Sequence, residues 1–468
     1  MIKHLLNSHK TLATTLFVVG SSWSVFFGLW FVVYRAGINT LAIQSEDTIP
    51  ALVLPVTVIN EQTLYADSYY QMIISAYPHP DDKNYQKGLT PFYFRKVGEH
   101  YISAFPIISG LMGIPVYFVP LLTGIDVTWE NLTILSHASA ALVVAVSGGL
   151  FYLLCRKFIS DKKSLLLAGV YLFCTINFAS VAQSLWQHGP AQFFIILSLL
   201  FMFQGRRRTS FIFLSGVALG FGVLARPTVG IMIPFFILLW TYLWGKEHVD
   251  MVRQTRLSDL SPVFKPIAVF LVGFLPAVAF FAWYNKAYFL TIANQGYANQ
   301  INTNWLTPFP WGFLGLWFSP SKGLLVYSPF FVFSLIGFYK TFRKGAWRED
   351  LVNTLFFSIV VTYTIVLGSW KHWYGGYSFG YRMVSEIIPL LVLLLIPYLK
   401  SPCFTRTKVV FCVTLLVSLC FELMGVAFFD GIWHGTYDRG FWNQEWLWSI
   451  RNSELIFNLE RLLVKLRL

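Results

Sequence analysis

The chain has 468 residues, of which 56% are hydrophobic and only 12% are charged, and its formal net charge is +13. A soluble domain carries roughly 25% charged residues, so this composition excludes an ordinary soluble globule. Nucleic acid is also excluded as the reason for the positive charge, because the basic residues form short clusters between apolar runs, which is typical of a membrane protein.

The first apolar stretch, from Thr11 to Val33, is too long for the core of a signal peptide and is interpreted as a helix. Ten further stretches come near the bilayer-spanning length of about 20 residues. Arg226-Pro227 separates two of them, because proline lacks a backbone donor and a charge is costly at mid-bilayer. The sequence therefore predicts an all-α polytopic membrane protein of about 11 transmembrane helices, at 11–34, 132–154, 164–181, 189–204, 209–225, 228–244, 266–284, 324–341, 351–369, 386–399 and 408–429.

Residues 105–122 are apolar but contain Pro106, Pro115 and Pro120, and we interpret them as an interfacial or re-entrant helix. With that choice the positive-inside rule places the N-terminus in the cytoplasm and the chain from Asp430 outside a plasma or inner membrane. The basic clusters then share the inner side: Lys3 and Lys10; Arg156, Lys157, Lys162 and Lys163; Arg206, Arg207 and Arg208; Lys246, Arg253, Arg256 and Lys265; Lys340, Arg343, Lys344 and Arg348; Lys400, Arg406 and Lys408.

This topology predicts one transmembrane domain, 1–429, with outer loops at 35–131, 286–323 and 370–385. The first loop is far too long to be a simple connector. A tail, 430–468, follows outside. It is rich in tryptophan and amphipathic from Leu455 to Leu468, so we expect it to lie along the membrane interface.

Unusual polar residues gather in the outer segments, beginning with the acid pair Glu46 and Asp47 after the first span. Such a pair can accept a proton or bind a cation, although an arbitrary pair of this kind is more often a solvated loop or a helix cap. One other acid, Glu422, lies inside the last span, where we expect a helix-packing contact.

Gln187 and His188 lie at the outer turn before the fourth span, and taken alone His188 suits a structural hydrogen bond. Arg226 lies at the next outer turn, where it could bind a phosphate oxygen or extend to lipid headgroups. Lys322 opens the eighth span from outside, where a helix N-terminus favours an anion.

The densest motif runs from Trp370 to Arg382 and combines aromatic, glycine and basic residues. Glycines permit close backbone approach, and aromatic faces can stack on sugar rings. Glu386 lies four residues after Arg382, so the two could simply pair with each other on one helix face. The motif contributes five candidate pocket residues: Trp373, Tyr374, Gly375, Gly376 and Tyr377.

Together these segments predict a cavity at the outer interface that receives an anionic, lipid-attached molecule. Phosphate fits the cations and a sugar fits the aromatics. We expect five side chains to line that cavity within about 20 Å of one another, a span somewhat shorter than the bilayer core: Asp47, His188, Arg226, Lys322 and Arg382.

The motifs resemble those of the GT-C superfamily of polyprenyl-phosphate-sugar-dependent glycosyltransferases, specifically bacterial members related to protein O-mannosyltransferases and the aminoarabinose transferase. The resemblance covers roughly residues 10–430 and rests on the order and common outer placement of four motifs: Glu46-Asp47 with Pro50 and Leu54-Pro55, Trp186-Gln187-His188-Gly189, Ser319-Pro320-Ser321-Lys322-Gly323-Leu324, and the run from Trp373 to Arg382.

The resemblance implies short juxtamembrane helices in the first outer loop and an inverting single displacement. It implies Asp47 as the base, with Glu46 as the alternative, because many relatives have glycine before the key acid. It further implies three donor-phosphate ligands, Arg226, Lys322 and Arg382, and a sugar pocket shaped by Gln187, His188, Glu386 and 373–377. The implied partners are a polyprenyl-phosphate sugar donor, a lipid, glycan or protein acceptor, and membrane lipids. The resemblance implies no cofactor with certainty, and a divalent cation stays open because metal dependence differs within the superfamily.

Two other functions compete with a glycosyltransferase. A transporter or flippase of a lipid-linked or anionic solute should place ionisable residues near mid-membrane with access from both sides. An O-antigen ligase or polymerase should have a longer late outer loop. The clustering of polar residues on one side, with the acids in the long first loop, favours the glycosyltransferase.

Overall fold

The computed structural model describes residues 2–39, 45–76, 90–204, 208–247, 261–292, 304–343 and 350–465. Parts of the predicted outer loops 35–131 and 286–323 lie outside these ranges, as does the tail from Leu466. Several residues of the predicted inner clusters also lie outside them: Arg206, Arg207, Arg253, Arg256, Lys344, Arg348.

The described residues form a helical bundle with one short antiparallel strand pair. The strands are β1 (Phe94–Val97) and β2 (His100–Ser103), in which Phe94 pairs with Ser103 and Val97 with His100. The helices are α1 (Ile2–Arg35), α2 (Ile49–Val56), α3 (Asp67–Ala76), α4 (Ile108–Leu122), α5 (Trp129–Cys155), α6 (Asp161–Phe173), α7 (His188–Gln204), α8 (Thr209–Ala225), α9 (Ile233–Glu247), α10 (Ser261–Val272), α11 (Leu275–Tyr288), α12 (Trp311–Phe318), α13 (Leu324–Tyr327), α14 (Val332–Arg343), α15 (Leu351–Gly368), α16 (Ile388–Leu393), α17 (Leu395–Lys400), α18 (Pro402–Phe428), α19 (Ile432–Tyr437) and α20 (Glu454–Lys465).

Within the described part of the chain, seven helical segments are long and apolar enough to cross a membrane. This confirms the predicted fold class, a helical multi-pass membrane protein. The other four of the eleven predicted spans are shorter or interrupted helices. The seven segments are His9–Arg35, Trp129–Cys155, Pro227–Lys246, Phe264–Tyr288, Leu351–Gly368, Arg382–Lys400 and Pro402–Phe428.

Local chemistry explains two of the shorter helices. Helix α6 ends at Phe173 because the side chains of Thr175 and Asn177 both donate to the carbonyl of Tyr171, at 2.7 and 3.0 Å, in place of a continued helix. The predicted span 324–341 is interrupted between α13 and α14 at Ser328-Pro329, where the proline has no N–H to continue the helix.

Side-chain contacts define two ends of the bundle. At one end, Arg156 Nη1 donates to Thr11 Oγ1 at 2.5 Å and Lys163 Nζ donates to the Leu399 carbonyl at 2.6 Å. At the other, which we call the loop end, Arg35 pairs with Glu130 at 3.1 Å. The chain between α1 and α5 thus leaves and re-enters the bundle at the loop end. This agrees with the expectation that α4 does not carry the chain across the membrane.

The first outer loop contains the short helices α2, α3 and α4, as the resemblance implies. Helix α2 is buried along its whole length and packs against α4 at Gly110, where any side chain would meet Leu54 at 2.8 Å. Tyr117 of α4 donates to the carbonyls of Leu52 and Leu132 at 3.0 and 3.1 Å. These contacts fix the turn before α2, which carries Glu46 and Asp47.

The tail packs into the loop end of the bundle more deeply than the predicted interfacial position requires. Glu454 and Asn458 of α20 are buried, and so is Trp433 of α19, whereas Trp442 is 88% exposed. Arg461 pairs with Asp430, which joins the two ends of the tail. The buried Glu454 of α20 contacts the loop between α15 and α16, as described below.

Candidate functional site

A cavity of about 400 Å³ lies where the loop-end segments meet. It brings together side chains from the turn before α2, the start of α7, the end of α8, the loop before α12 and the loop after α15. Nine predicted site residues line it: Glu46, Asp47, Gln187, His188, Arg226, Gly375, Gly376, Tyr377 and Arg382. Four of the five side chains expected to share one cavity therefore do so.

Asp47 lies in a short 3-10 turn, Glu46–Thr48, and its carboxylate is 29% exposed. Its Oδ2 atom is 3.4 Å from Nη1 of Arg382, a long contact that links the first outer loop to the loop after α15. Glu46 lines the same wall. Both candidate bases thus reach the cavity, and Asp47 lies beside a fixed cation.

Arg382 is held in place by neighbours other than Asp47. Its guanidinium lies 3.9 Å from the centre of the Trp186 ring, and Nη2 donates to the Gly375 carbonyl at 2.5 Å. Gly375 has a φ of +89°, a left-handed conformation that other residues rarely adopt, so the sequence needs glycine there. The arginine therefore presents a positive charge whose orientation is set before any ligand binds.

Arg226 follows α8 in an extended conformation, which is favoured because Pro227 disfavours helical geometry at the preceding residue. Its Nη1 atom donates to Nε2 of His188 at 3.0 Å. Since a guanidinium can only donate, Nε2 accepts, and the neutral imidazole of His188 carries its proton on Nδ1. Nδ1 in turn contacts Glu386 Oε1 at 2.6 Å.

Glu386 differs from both predictions made for it, because it neither lines the cavity nor pairs with Arg382. Residues Arg382–Ile387 form a 3-10 turn, so positions four apart do not share a face as they do in an α-helix. The buried carboxylate instead contacts His188, Arg226 Nε at 3.0 Å and Tyr363, whose hydroxyl donates at 2.9 Å. Glu386 thus orients Arg226 and His188 from behind.

Lys322 also differs from its prediction, because it is fully buried and does not line the cavity. Its ammonium donates to Glu454 Oε2 at 3.1 Å and to the Ser378 carbonyl. Helix α13 after it has only four residues, too few to provide a helix N-terminus for an anion. The predicted phosphate role of Lys322 therefore lacks structural support, and the residue ties the tail to the loop that carries Arg382.

Trp373 and Tyr374 are likewise buried behind the cavity. The indole of Trp373 donates to Gln444 of the tail at 2.9 Å, and the Tyr374 hydroxyl lies 2.9 Å from Nδ1 of His372. Both residues support the loop, while the glycines and Tyr377 that follow reach the cavity.

Glu454 is a site-supporting residue that the sequence did not reveal. Besides Lys322, its Oε2 atom accepts from the Tyr327 hydroxyl at 2.8 Å and from the Gly380 amide at 3.0 Å. Burial raises the pKa of Glu454, and the Lys322 ammonium opposes that shift. Its only sequence signal was its place in the tail, immediately before the amphipathic stretch that begins at Leu455. Its partners Lys322 and Gly380 lie more than 70 positions away.

Replacing Glu454 by glutamine is expected to destabilise the protein by about 3–5 kcal/mol, because the change leaves the Lys322 ammonium buried without its counter-ion. Adding Lys322→Met should restore much of the loss, since the double variant buries no charge there. Thermal unfolding in detergent measures both effects. Arg461→Met, which breaks a partly exposed ion pair in the same tail, is the control and should shift the midpoint far less.

A divalent cation has few ligands in this cavity. Among the described residues, no group of three or more histidine, cysteine, aspartate or glutamate side chains is placed to hold a metal. Glu46 and Asp47 are the carboxylates on the cavity wall, and the Arg382 guanidinium already lies beside Asp47. Within the part of the chain that the structure describes, these two carboxylates alone are too few to hold a cation.

The chain matches no family model and no curated protein. Among solved structures it is similar to an oligosaccharyltransferase of Archaeoglobus fulgidus in complex with Zn and sulfate, with 12% identity, a TM-score of 0.41, and coverage of 84% of this chain and 55% of the other. It is also similar to the archaeal oligosaccharyltransferase AglB from Archaeoglobus fulgidus in complex with an inhibitory peptide and a dolichol-phosphate. There the identity is 11% and the TM-score 0.38, with coverage of 81% of this chain and 55% of the other. This chain thus spans about half the length of those proteins.

The fold and the cavity define a class of protein on their own. The chain is a multi-pass membrane protein whose described loop end holds a cavity with two carboxylates, two arginines with fixed orientations, and aromatic walls.

Proposed function

We propose that this protein is a membrane glycosyltransferase that takes a sugar from a polyprenyl-phosphate donor. In this proposal the loop end faces the outer side of a plasma or inner membrane, with the N-terminus in the cytoplasm. The observation that carries the proposal is the position of the Asp47 carboxylate beside Arg382, in a cavity that also holds Arg226. An acceptor base and two phosphate-binding cations are the groups such a transfer needs.

The proposed reaction is one displacement at the anomeric carbon. Asp47 accepts the proton of an acceptor hydroxyl while the oxygen of that hydroxyl forms the new glycosidic bond. The bond between the anomeric carbon and the phosphate oxygen breaks at the same time, and the electron pair leaves on the phosphate. Attack from the face opposite to the leaving group inverts the configuration, and the products are the glycosylated acceptor and polyprenyl phosphate.

Arg226 and Arg382 would stabilise the charge that grows on the departing phosphate. Arg382 is fixed by Trp186 and the Gly375 carbonyl, and Arg226 by Glu386 and His188, so neither has to reorganise as the charge develops. Glu386 would act without touching the substrate, because its buried carboxylate holds Arg226 and His188 from outside the cavity lining.

Direct assay of donor turnover tests this proposal. Purified protein in lipid is incubated with a panel of radiolabelled polyprenyl-phosphate sugars, and release of polyprenyl phosphate is measured together with passage of labelled lipid between leaflets. Release that depends on one sugar supports the transferase. Leaflet exchange without release would instead identify a flippase of a lipid-linked solute, the competing function.

Chelation of divalent cations is expected to leave at least about half of the donor turnover, because two arginines supply the positive charge that a metal would otherwise provide. Turnover is measured before and after dialysis against EDTA. A loss that Mg²⁺ or Mn²⁺ restores would contradict this expectation, and would mean that substrate oxygens complete a metal site with Glu46 and Asp47.

A further inference from the structure

One wall of the cavity has no part in the reaction described above. It is built by two segments, 304–307 and 369–372, which bond to each other through their backbones. The Lys371 amide donates to the Asn304 carbonyl at 2.6 Å, and the Thr307 amide donates to the Ser369 carbonyl at 3.0 Å. We call this the aromatic wall, defined by its cavity-lining residues Asn304, Trp305, Trp370, Lys371 and His372.

The two indoles of the aromatic wall are fixed against each other. Trp305 and Trp370 meet edge to face, with ring centroids 4.9 Å apart. The hydroxyl of Thr307 donates to the Trp370 carbonyl at 2.9 Å, which anchors one segment to the other. Trp305 nevertheless stays 40% exposed, so an aromatic surface is preformed at the cavity and needs little ordering when a ligand binds.

Polar side chains share the wall with the two indoles. Asn304 supplies an amide, Lys371 an ammonium and His372 an imidazole. Burial, and then the charge of Lys371, lowers the pKa of His372, so the ring stays neutral near pH 7 and can exchange hydrogen bonds with a hydroxyl. Rings beside hydrogen-bonding groups suit a sugar, whose C–H face stacks on an aromatic ring while its hydroxyls bond to polar groups.

A peptide or a plain acyl chain fits this wall less well. An extended peptide is recognised through unpaired backbone groups of a strand edge, but here the amides of Thr307 and Lys371 are already bonded between the two segments. An acyl chain offers no hydrogen-bond partner to the polar side chains of Asn304 and Lys371, and covering them with it would cost free energy.

We propose that the aromatic wall is an acceptor subsite and that the acceptor is a carbohydrate, either a glycan or the sugar part of a glycolipid. This inference rests on the proposed function, because it gives the second substrate of the same transfer. The acceptor sugar stacks on Trp305 and Trp370, and one of its hydroxyls loses a proton to Asp47 as that oxygen takes the donor sugar. The donor phosphate binds to Arg226 and Arg382, so the donor and the acceptor contact different walls of the cavity.

The test uses the full chain in lipid nanodiscs and three variants, Trp305→Leu, Trp370→Leu and Trp311→Leu. Trp311 is the control, because it is 59% exposed and lies outside the cavity lining. Binding of neutral and acidic hexasaccharides is measured without donor. Donor binding, and transfer to the same hexasaccharides and to a serine- and threonine-containing peptide, are measured separately.

We expect Trp305→Leu and Trp370→Leu to raise the hexasaccharide Kd and the acceptor KM by about tenfold, the effect of losing an aromatic anchor, with donor Kd within about threefold of the wild type. Trp311→Leu should change none of them. Faster transfer to the peptide than to every hexasaccharide, or a loss of donor binding in place of acceptor binding, would overturn the subsite.

The binding assay separates this inference from the proposed function. Hexasaccharide binding that needs Trp305, in a protein that turns over no donor, would support a carbohydrate site and contradict the transferase. Donor turnover with no hexasaccharide binding in the wild type would keep the transferase and overturn the carbohydrate acceptor.

Discussion

Replacing Asp47 by asparagine is expected to lower kcat for sugar transfer by about 10²–10⁴-fold, the range that a positioned general base contributes. The amide has nearly the shape of the carboxylate but cannot accept the acceptor proton. Donor affinity should not fall, because a carboxylate is no ligand for the donor phosphate and its contact with Arg382 is long, at 3.4 Å. Single-turnover kinetics with saturating donor measure the chemical step, and equilibrium binding measures the donor Kd.

Two matched variants make this result specific. Glu46→Gln changes the neighbouring carboxylate on the same cavity wall and should reduce kcat much less than Asp47→Asn does. Asp67→Asn changes an acid of the same outer loop that pairs with His100 at 2.6 Å outside the cavity, and should leave kcat unchanged. A large loss for Glu46→Gln with near-normal activity for Asp47→Asn would reverse the assignment and make Glu46 the base.

The membrane fold could be predicted from the sequence because its signals are local. Apolar stretches of spanning length and basic clusters between them identify helices without knowledge of their neighbours. The lengths of individual helices could not be predicted in the same way. Helix α6 ends where Thr175 and Asn177 bond to the Tyr171 carbonyl, and hydropathy does not register that choice of hydrogen-bond partner.

The sequence predicted those site residues whose position at the cavity depends on neighbours close to them in the chain. Asp47, His188, Arg226 and Arg382 each stand out beside an outer turn, and the cavity includes all four. Lys322 and Glu386 stood out equally, yet both face buried partners. Glu454, the partner of Lys322, is 132 positions away, so no periodicity or local motif could have indicated that the lysine is neutralised.

The tail does more than an interfacial anchor would, because it is hydrogen-bonded to the loop that carries Arg382. Glu454 accepts from the Gly380 amide, two positions before Arg382, and Gln444 accepts from the Trp373 indole. These bonds hold both sides of the glycine-rich turn whose Gly375 carbonyl orients Arg382. The position of a proposed phosphate ligand thus depends on residues more than 60 positions further along the chain.

Arg382→Met is expected to reduce kcat/KM for the donor by about 10²–10³-fold, the cost of removing one charge-stabilising group from a developing anion. Lysine at this position should restore only part of the loss. Its ammonium keeps the charge but cannot stack as a flat group on Trp186 while also donating to the Gly375 carbonyl. Kinetics of transfer and equilibrium donor binding are measured for both variants, with Arg461→Met as the control for an arginine outside the cavity.

Comparing the two measurements shows where the arginine acts. If kcat/KM falls further than donor binding weakens, Arg382 stabilises the departing phosphate more than the bound donor, as proposed. Equal losses would mean that it contributes only to binding. The double variant Asp47→Asn/Arg382→Met adds a second criterion: if base and cation act in one transition state, its loss should be smaller than the product of the two single losses. A fully multiplicative loss would mean that the two residues contribute independently of each other.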